Sequence, residues 1–256
     1  MSTAMTDITR RSLAALARAE LTLLMRNKQN MFTVLLAPAV LTVGLQPVFD
    51  NFELPPKTLV PTVAATAIGF TLIMGVYSTL TATYVTRRDN FVLKRFRTGQ
   101  ASDPVVLGGT AVPVTLTSVL QALLLIVGIG VVSGSAPGNV LVLLAGFLLG
   151  IPLMGAFAAI TSAWTKTADS APVAIMPGMI LFMLTSGMLI PFSLLPDTAG
   201  DIAQVLPFTP AIELIKHGWS GDVVWSHDLL RMAGLLAWDV LALVGAARFF
   251  KWEPRT

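Results

Sequence analysis

The chain has 256 residues, 54% of them hydrophobic and only 12% charged, with a formal net charge of +3. A soluble domain carries about 25% charged residues, so this chain has half the charge of a water-facing surface, and its mean hydropathy is +0.75. The apolar residues gather in runs of about 18 or more with almost no charge, the pattern of membrane spans, which excludes a soluble enzyme, a disordered chain and a secreted disulfide scaffold. With zero Cys there is no disulfide, thiolate nucleophile or Cys-ligated metal, and two His, His217 and His227, are too few for a His-rich site.

Residues 1–28 are mixed in polarity. Arg10-Arg11-Ser12-Leu13 faintly resembles a twin-arginine export signal, but Arg18, Glu20 and Arg26 interrupt any apolar core and no small-residue cleavage site follows. Residues 10–27 read instead as an amphipathic helix. At 100° per residue Arg11, Arg18, Thr22 and Arg26 share one face, and Leu13, Leu16, Ala17 and Leu24 share the other. Such a helix lies in the membrane interface. Glu20 falls in the middle of its apolar face, where it is expected to meet protein rather than lipid.

Six spans follow, at about 31–49 with Pro38 inside, 58–85, 104–132, 140–164, 171–190 and 229–250. Each is long enough to cross about 30 Å of hydrocarbon at 1.5 Å per residue. Ser133–Asn139 is a tight turn between the third and fourth. Residues 191–208 are apolar but broken by Pro191, Pro196 and Pro207 and carry Asp197 and Asp201. They read as short re-entrant helices dipping into the outer leaflet, shielded by protein. The expected fold class is therefore all-α and integral to the membrane. The chain forms one domain over 1–256, with no soluble domain, long linker or internal repeat.

An even number of spans puts both termini on one side. That side carries 14 of the 17 basic residues, from Arg10, Arg11, Arg18, Arg26 and Lys28 through Arg87, Arg88, Lys94, Arg95 and Arg97 to Lys166, Arg248, Lys251 and Arg255. Lys57, Lys216 and Arg231 lie opposite, among Asp50, Glu53, Asp197, Asp201, Glu213, Asp222 and Asp228. The positive-inside rule makes the basic side cytoplasmic. The Ala-, Gly- and Arg-leaning, Lys-poor composition suggests a GC-rich bacterium, so the expected location is the bacterial cytoplasmic membrane.

No Lys follows a Gly, so a phosphate-binding Gly-Lys-Ser/Thr loop is absent. Neither Gly-x-Ser-x-Gly nor His-Glu-x-x-His occurs. Glu213 and His217 are four apart on a helix-like stretch, but two ligands do not make a catalytic metal site, and an ion pair or cap contact is the simpler reading. One ionisable residue sits deep in a span: Asp239, near the middle of the sixth. An intramembrane carboxylate is a functional candidate. It serves either a structural hydrogen bond to a neighbouring Ser or Thr or a substrate or coupling role.

The stretch Arg87-Arg88-Asp89-Asn90-Phe91-Val92-Leu93-Lys94-Arg95-Phe96-Arg97 alternates charge with apolar residues at helical spacing. A membrane-surface anchor needs the charge but not two phenylalanines, whereas an amphipathic helix that docks a partner needs both. Here the chain resembles the permease subunits of type-2 ABC exporters, and the likeness runs over nearly its whole length. Glu20 followed by Arg26-Asn27 is similar to the family's elbow pattern. Asp89 and Leu93-Lys94-Arg95-Phe96-Arg97 resemble its acid–x–Gly–Thr–Leu–Lys–Arg–Leu–Arg coupling stretch, with Phe91-Val92 in place of Gly-Thr and Gly99-Gln100 in place of Thr-Pro. Ser186-Gly187-Met188-Leu189-Ile190-Pro191, continuing to Pro196, is similar to its Ser-Gly-x-x-x-Pro-x-x-x-x-Pro. Leu206-Pro207 through Lys216 and the Arg248–Trp252 tail are also alike.

The resemblance implies a half-transporter: an elbow helix at 10–27, six spans, a coupling region at 87–103 and re-entrant outer helices at 191–208. It implies pairing with a second copy or a related permease, and docking of a separate ATP-binding subunit that holds ATP and Mg. This chain itself then needs no cofactor and is no enzyme. Docking falls to Arg88, Asp89, Phe91, Lys94, Arg95, Phe96 and Arg97. A translocation path between the second and fifth spans would involve Thr71, Ser78, Met176, Met179, Met183, Thr185 and Ser186. Ser and Thr in spans also bond their own backbone, and Met also packs against lipid or a subunit. Without a deep cationic lining or a large ectodomain, the expected passenger is a hydrophobic or amphiphilic small molecule, as in the family's drug- and antibiotic-resistance branch. Polysaccharide or teichoic-acid export is the alternative. Two other classes are an ion-gradient-driven transporter using Asp239 and an intramembrane enzyme or assembly factor.

Overall fold

The computed structural model describes residues 40, 43–44, 55–91, 103–190, 192, 196–250 and 252. The elbow helix with Glu20 and Arg26, most of the first span, and Lys94, Arg95, Phe96 and Arg97 lie outside the described residues. Among those described there is no strand. The helices are α1 (Pro56–Phe70), α2 (Thr79–Asp89), α3 (Asp103–Ser133), α4 (Val140–Trp164), α5 (Ala171–Thr185), α6 (Asp197–Val205), α7 (Thr209–Ser220) and α8 (Trp225–Phe249). A π-helical segment, Thr71–Ser78, joins α1 to α2 without a break.

These residues are helical because apolar chains in lipid must satisfy every backbone N–H and C=O within the segment. Five helical stretches among the described residues are long and apolar enough to cross a membrane: Lys57–Asp89, Val106–Ser133, Val140–Trp164, Ala168–Thr185 and Trp225–Phe249. They correspond to the second through sixth spans read from the sequence. The ends are chemically marked. Asn139 caps α4 by accepting from the Val142 N–H at 3.2 Å, and Pro56 and Pro210 sit in first turns, where no N–H is needed.

Three boundaries differ from the sequence reading. The second span runs on to Asp89 rather than ending near 85. The fifth span ends at Thr185 rather than near 190, because Gly187 turns out of the helix with φ +73° and a Cβ there would meet the Phe192 ring at 2.6 Å. The sixth begins at Trp225, several residues early, because Asp228 accepts from the Val224 N–H at 3.0 Å and closes a first turn.

Between α5 and α8 the chain forms α6 and α7, of 9 and 12 residues. At 1.5 Å per residue neither spans 30 Å of hydrocarbon. The interrupted region thus extends beyond Phe208 to Ser220. α7 is no surface element: it packs on α4 and α1 and buries Ile212, Leu214, Ile215 and Trp219. Glycines make that possible. A Cβ on Gly146 would lie 2.7 Å from the Ala211 carbonyl, and one on Gly218 would strike the Leu143 backbone. In lipid there is no hydrophobic drive between helices, so such close backbone approach is what van der Waals cohesion requires. The turn before α4 is fastened to the same helix, with Asn139 N–H donating to Gly218 O at 2.8 Å. α4 is consequently the central post, with α7 and α8 on it and the π segment and α2 along its side.

Candidate functional site

The Arg-rich end of the bundle has the most specific polar geometry. The last carbonyls of an α-helix have no partner within it. At α4 they are met by Arg88, which donates from Nη1 to Ser162 O at 2.8 Å and from Nη2 to Thr165 O at 2.7 Å and Lys166 O at 3.2 Å. A planar fork suits several carbonyls at once, and a cation suits a helix C-terminus. Arg88 is 1% exposed. Expected among docking residues facing an acidic partner, it is turned inward, because the orphan carbonyls of α4 need its donors. Asp89 also looks back: its Oδ2 accepts from the Ala168 N–H at 2.8 Å, at the start of the turn leading into α5, while Oδ1 lies 3.7 Å from Arg88 Nε. Arg87 donates to Thr110 Oγ1 at 3.0 Å and ties in α3.

Three consecutive charges thus bind α2 to α3, α4 and the entry to α5. The chain then turns away. Asn90 ends α2 and Phe91 adopts φ 57°, with its N–H donating to Arg88 O at 2.9 Å. That conformation favours glycine, the residue that the resembling coupling stretch carries at this position. The Phe91 side chain is 51% exposed.

The residues expected on a translocation path do not share one surface. Thr71 is buried, and its hydroxyl donates to Ala67 O at 3.2 Å within its own helix. Thr62, Thr81 and Thr83 likewise donate to the carbonyl four residues back. Ser78 is half-buried. Met176 is exposed, whereas Met179 and Met183 pack partly on the core. Thr185 donates to Leu181 O at 2.7 Å, and its own carbonyl accepts from Thr209 Oγ1 at 3.0 Å. Ser186 is buried with no hydrogen-bond partner for Oγ. What joins the second and fifth spans is Tyr77. Its ring lies edge-on to Phe182 at 5.4 Å, its hydroxyl is 3.1 Å from Thr161 Oγ1, and it occupies the space a side chain on Gly178 would need. Phe182 also meets Phe157 and Phe208, at 5.2 and 5.7 Å.

A family model for ABC-2 transporter proteins matches residues 7–249. The chain belongs to that family. No curated protein matches it. As an ABC-2 protein it is a multi-pass membrane component of a transporter.

At the other end of this ABC-2 protein, Asp228 is fully buried and holds a small ionic cluster. Its Oδ1 lies 2.8 Å from His217 Nδ1 and 3.0 Å from Arg231 Nη1. Glu213 adds contacts to Lys216 and His217, both at 3.7 Å, and to Arg231 at 4.0 Å. Glu213 and His217 are thus in an ion-pair cluster between α7 and α8 that also includes Arg231. Asp239 is 5% exposed, and its Oδ1 is buried with no hydrogen-bond partner, so the expected bond from a neighbouring Ser or Thr does not reach that atom.

Sequence reasoning missed Tyr77 as the joint between spans and Arg87 as the tie to α3. It also passed over Ser118 and Gln121 in α3. The signal for Gln121 was present: it is the single amide in the third span, in Ser-Val-Leu-Gln-Ala-Leu-Leu-Leu.

Proposed function

We propose that this ABC-2 protein is the permease half of an ATP-driven exporter, and that the basic segment after Asp89 docks a separate ATP-binding subunit. The observation that carries this reading is the anchor formed by Arg88 and Asp89. It ties the root of that segment to the ends of α4 and α5, so a partner's movement below the membrane is delivered to several helices together. On this reading Phe91, Lys94, Arg95, Phe96 and Arg97 face the partner, and Arg88 and Asp89, the latter turned back onto the Ala168 N–H rather than outward as expected, hold the platform from which they project.

The remaining parts follow the same scheme. Residues 10–27 form an elbow helix in the interface and 31–49 complete six spans. The 87–103 region is cytoplasmic with both termini, and α6 and α7 dip into the outer leaflet of the bacterial cytoplasmic membrane. Two such chains, or this one and a relative, enclose the path. ATP and Mg are held by the partner, which drives the permease between two states by binding one better than the other. The passenger is a hydrophobic or amphiphilic small molecule of the drug or antibiotic type. Supporting this is a cavity of about 540 Å³ whose walls include Leu80, Tyr84, Leu107, Ile151, Leu243 and Phe250.

The test is whether a neighbouring reading frame encodes a Walker-containing ATPase, and then co-expression with that ATPase, reading co-purification and stimulation of hydrolysis by a panel of amphiphiles. Phe96→Asp should abolish both. Assembly and transport untouched by Phe96→Asp would remove the docking assignment. The unpartnered Oδ1 of Asp239 favours one second reading, an ion-gradient-driven carrier. Transport that collapses with an uncoupler but survives ATP depletion would select it.

A further inference from the structure

Among the described residues, α3 holds two polar side chains that nothing satisfies. Ser118 is 0% and Gln121 1% exposed, and Ser118 Oγ, Gln121 Oε1 and Gln121 Nε2 all lack a hydrogen-bond partner. Both residues sit near the middle of the span, roughly 20 Å from either end at 1.5 Å per residue. An amide without partners in an apolar medium is strongly disfavoured. No lipid, water or second subunit can relieve it in this conformation, because the atoms are already covered by the chain itself.

The cover is the π segment. A methyl built on Gly75 would stand 2.8 Å from Ser118 Oγ and 3.4 Å from Gln121 Oε1, so the glycine lets the second span close over these groups without displacing the Ser118 hydroxyl. Short π-helical insertions concentrate at functional sites. This one is held in its wide register in part by Thr79 Oγ1, which donates five residues back to Met74 O at 2.9 Å. The segment leads directly through α2 to the Arg88 anchor. A closed arrangement that leaves three polar atoms unpaired, beside a helix in a rare register, is disfavoured as it stands.

We propose that Ser118 and Gln121 form a mid-membrane polar subsite on the passenger's route, shut here by Gly75 and opened when the π segment withdraws from α3. It takes an uncharged group that both donates and accepts, an amide or an alcohol. A hydroxyl and a carboxamide offer both functions, and neither α3 beyond Asp103 nor the π segment carries a charge to select an ion. The proposal rests on the export reading above and names the chemistry its passenger must carry.

Because the chain has no Cys, single cysteines report without background. The full chain in membrane vesicles is labelled with the aqueous anionic reagent sulfonatoethyl methanethiosulfonate, with and without the ATPase partner and nucleotide. Ser118→Cys and Gln121→Cys should react on the order of tenfold faster than Leu123→Cys and Leu124→Cys on the outer apolar face, since the rate follows the open fraction. Dodecanamide should protect them and dodecane should not. Labelling at the control rate in every condition overturns the proposal, as does equal protection by the two compounds.

Gln121→Leu covers the case in which the cysteines disturb folding. Replacing an unpaired amide by an apolar side chain should leave the melting temperature unchanged or raised, and should slow labelling at Ser118→Cys several-fold by removing what favours opening. A marked fall in melting temperature would mean that the amide is a structural contact, and the proposal fails. Labelling and melting need only this chain. A chain that pairs with its ATPase but does not label loses the subsite and keeps the export reading, and one that labels without pairing does the reverse.

Discussion

Replacing Arg88 by methionine removes the fork that closes α4 while leaving a side chain of similar reach. A hydrogen bond involving a charged group contributes about 1.5–3 kcal/mol. Counting only the two short bonds, to Ser162 O at 2.8 Å and Thr165 O at 2.7 Å, the loss is roughly 3–6 kcal/mol. At about 2–4 °C per kcal/mol for a chain of this length, the thermal midpoint should fall on the order of 10 °C. Arg88→Lys keeps the charge at the helix end, a contribution of up to about 2 kcal/mol, but cannot bridge several carbonyls, so it should fall between the two. Asp89→Asn still accepts from the Ala168 N–H and should lose only about 1 kcal/mol. The assay is tryptophan fluorescence on heating of detergent-solubilised protein, since the chain has five Trp. An Arg88→Met midpoint within about 3 °C of the parent, or an Asp89→Asn effect equal to it, would refute the idea that this guanidinium holds the end of α4.

Three further outcomes follow from the same geometry. Phe91→Gly should stabilise the turn by about 1 kcal/mol, because φ 57° costs a bulky residue that much, yet weaken co-purification of the ATP-binding subunit; a variant that melts lower contradicts the turn assignment. Gly218→Ala should destabilise by about 1–3 kcal/mol through collision with Leu143. Gly234→Ala, which meets nothing within 4 Å, should be neutral or gain up to about 1 kcal/mol, and equal melting of the two would show that α4 and α7 are not in tight contact. Asp228→Asn should cost about 1–3 kcal/mol, as the buried charge facing Arg231 and His217 is lost and one of two accepting oxygens becomes an NH2 donor. Combining it with His217→Gln should be non-additive in a double-mutant cycle, and strict additivity would separate the pair.

Much of the architecture could be read from hydropathy because lipid imposes a strong rule: long charge-free runs must be helices. Val140–Trp164 matches its reading from end to end, since Asn139 caps it and Thr165 breaks it. Where the reading stopped short, the deciding forces were tertiary. Nothing in Thr209–Ser220 announces that it is wedged against α4, because this depends on Gly146 facing Ala211 and Gly218 facing Leu143, residues roughly 70 apart. The basic stretch after α2 stood out by composition, but the inward turn of Arg88 did not, since any of three adjacent charges could have met the end of α4. The expected path residues lie on different surfaces of one chain for a related reason. The hydroxyls of Thr62, Thr71, Thr81, Thr83 and Thr185 are taken up by carbonyls one turn back, so their presence does not report which way a helix faces.

The fastening at Arg88 and Asp89 also has a mechanical side. The link from α4 to α5 is only a few residues long and is gripped from both ends, by a guanidinium on Thr165 and Lys166 and by a carboxylate on Ala168. It has almost no slack. On the docking reading, a pull on the residues after Phe91 is passed to α4 and α5 together rather than taken up in the link between them, and Tyr77 packs where the second, fourth and fifth spans meet.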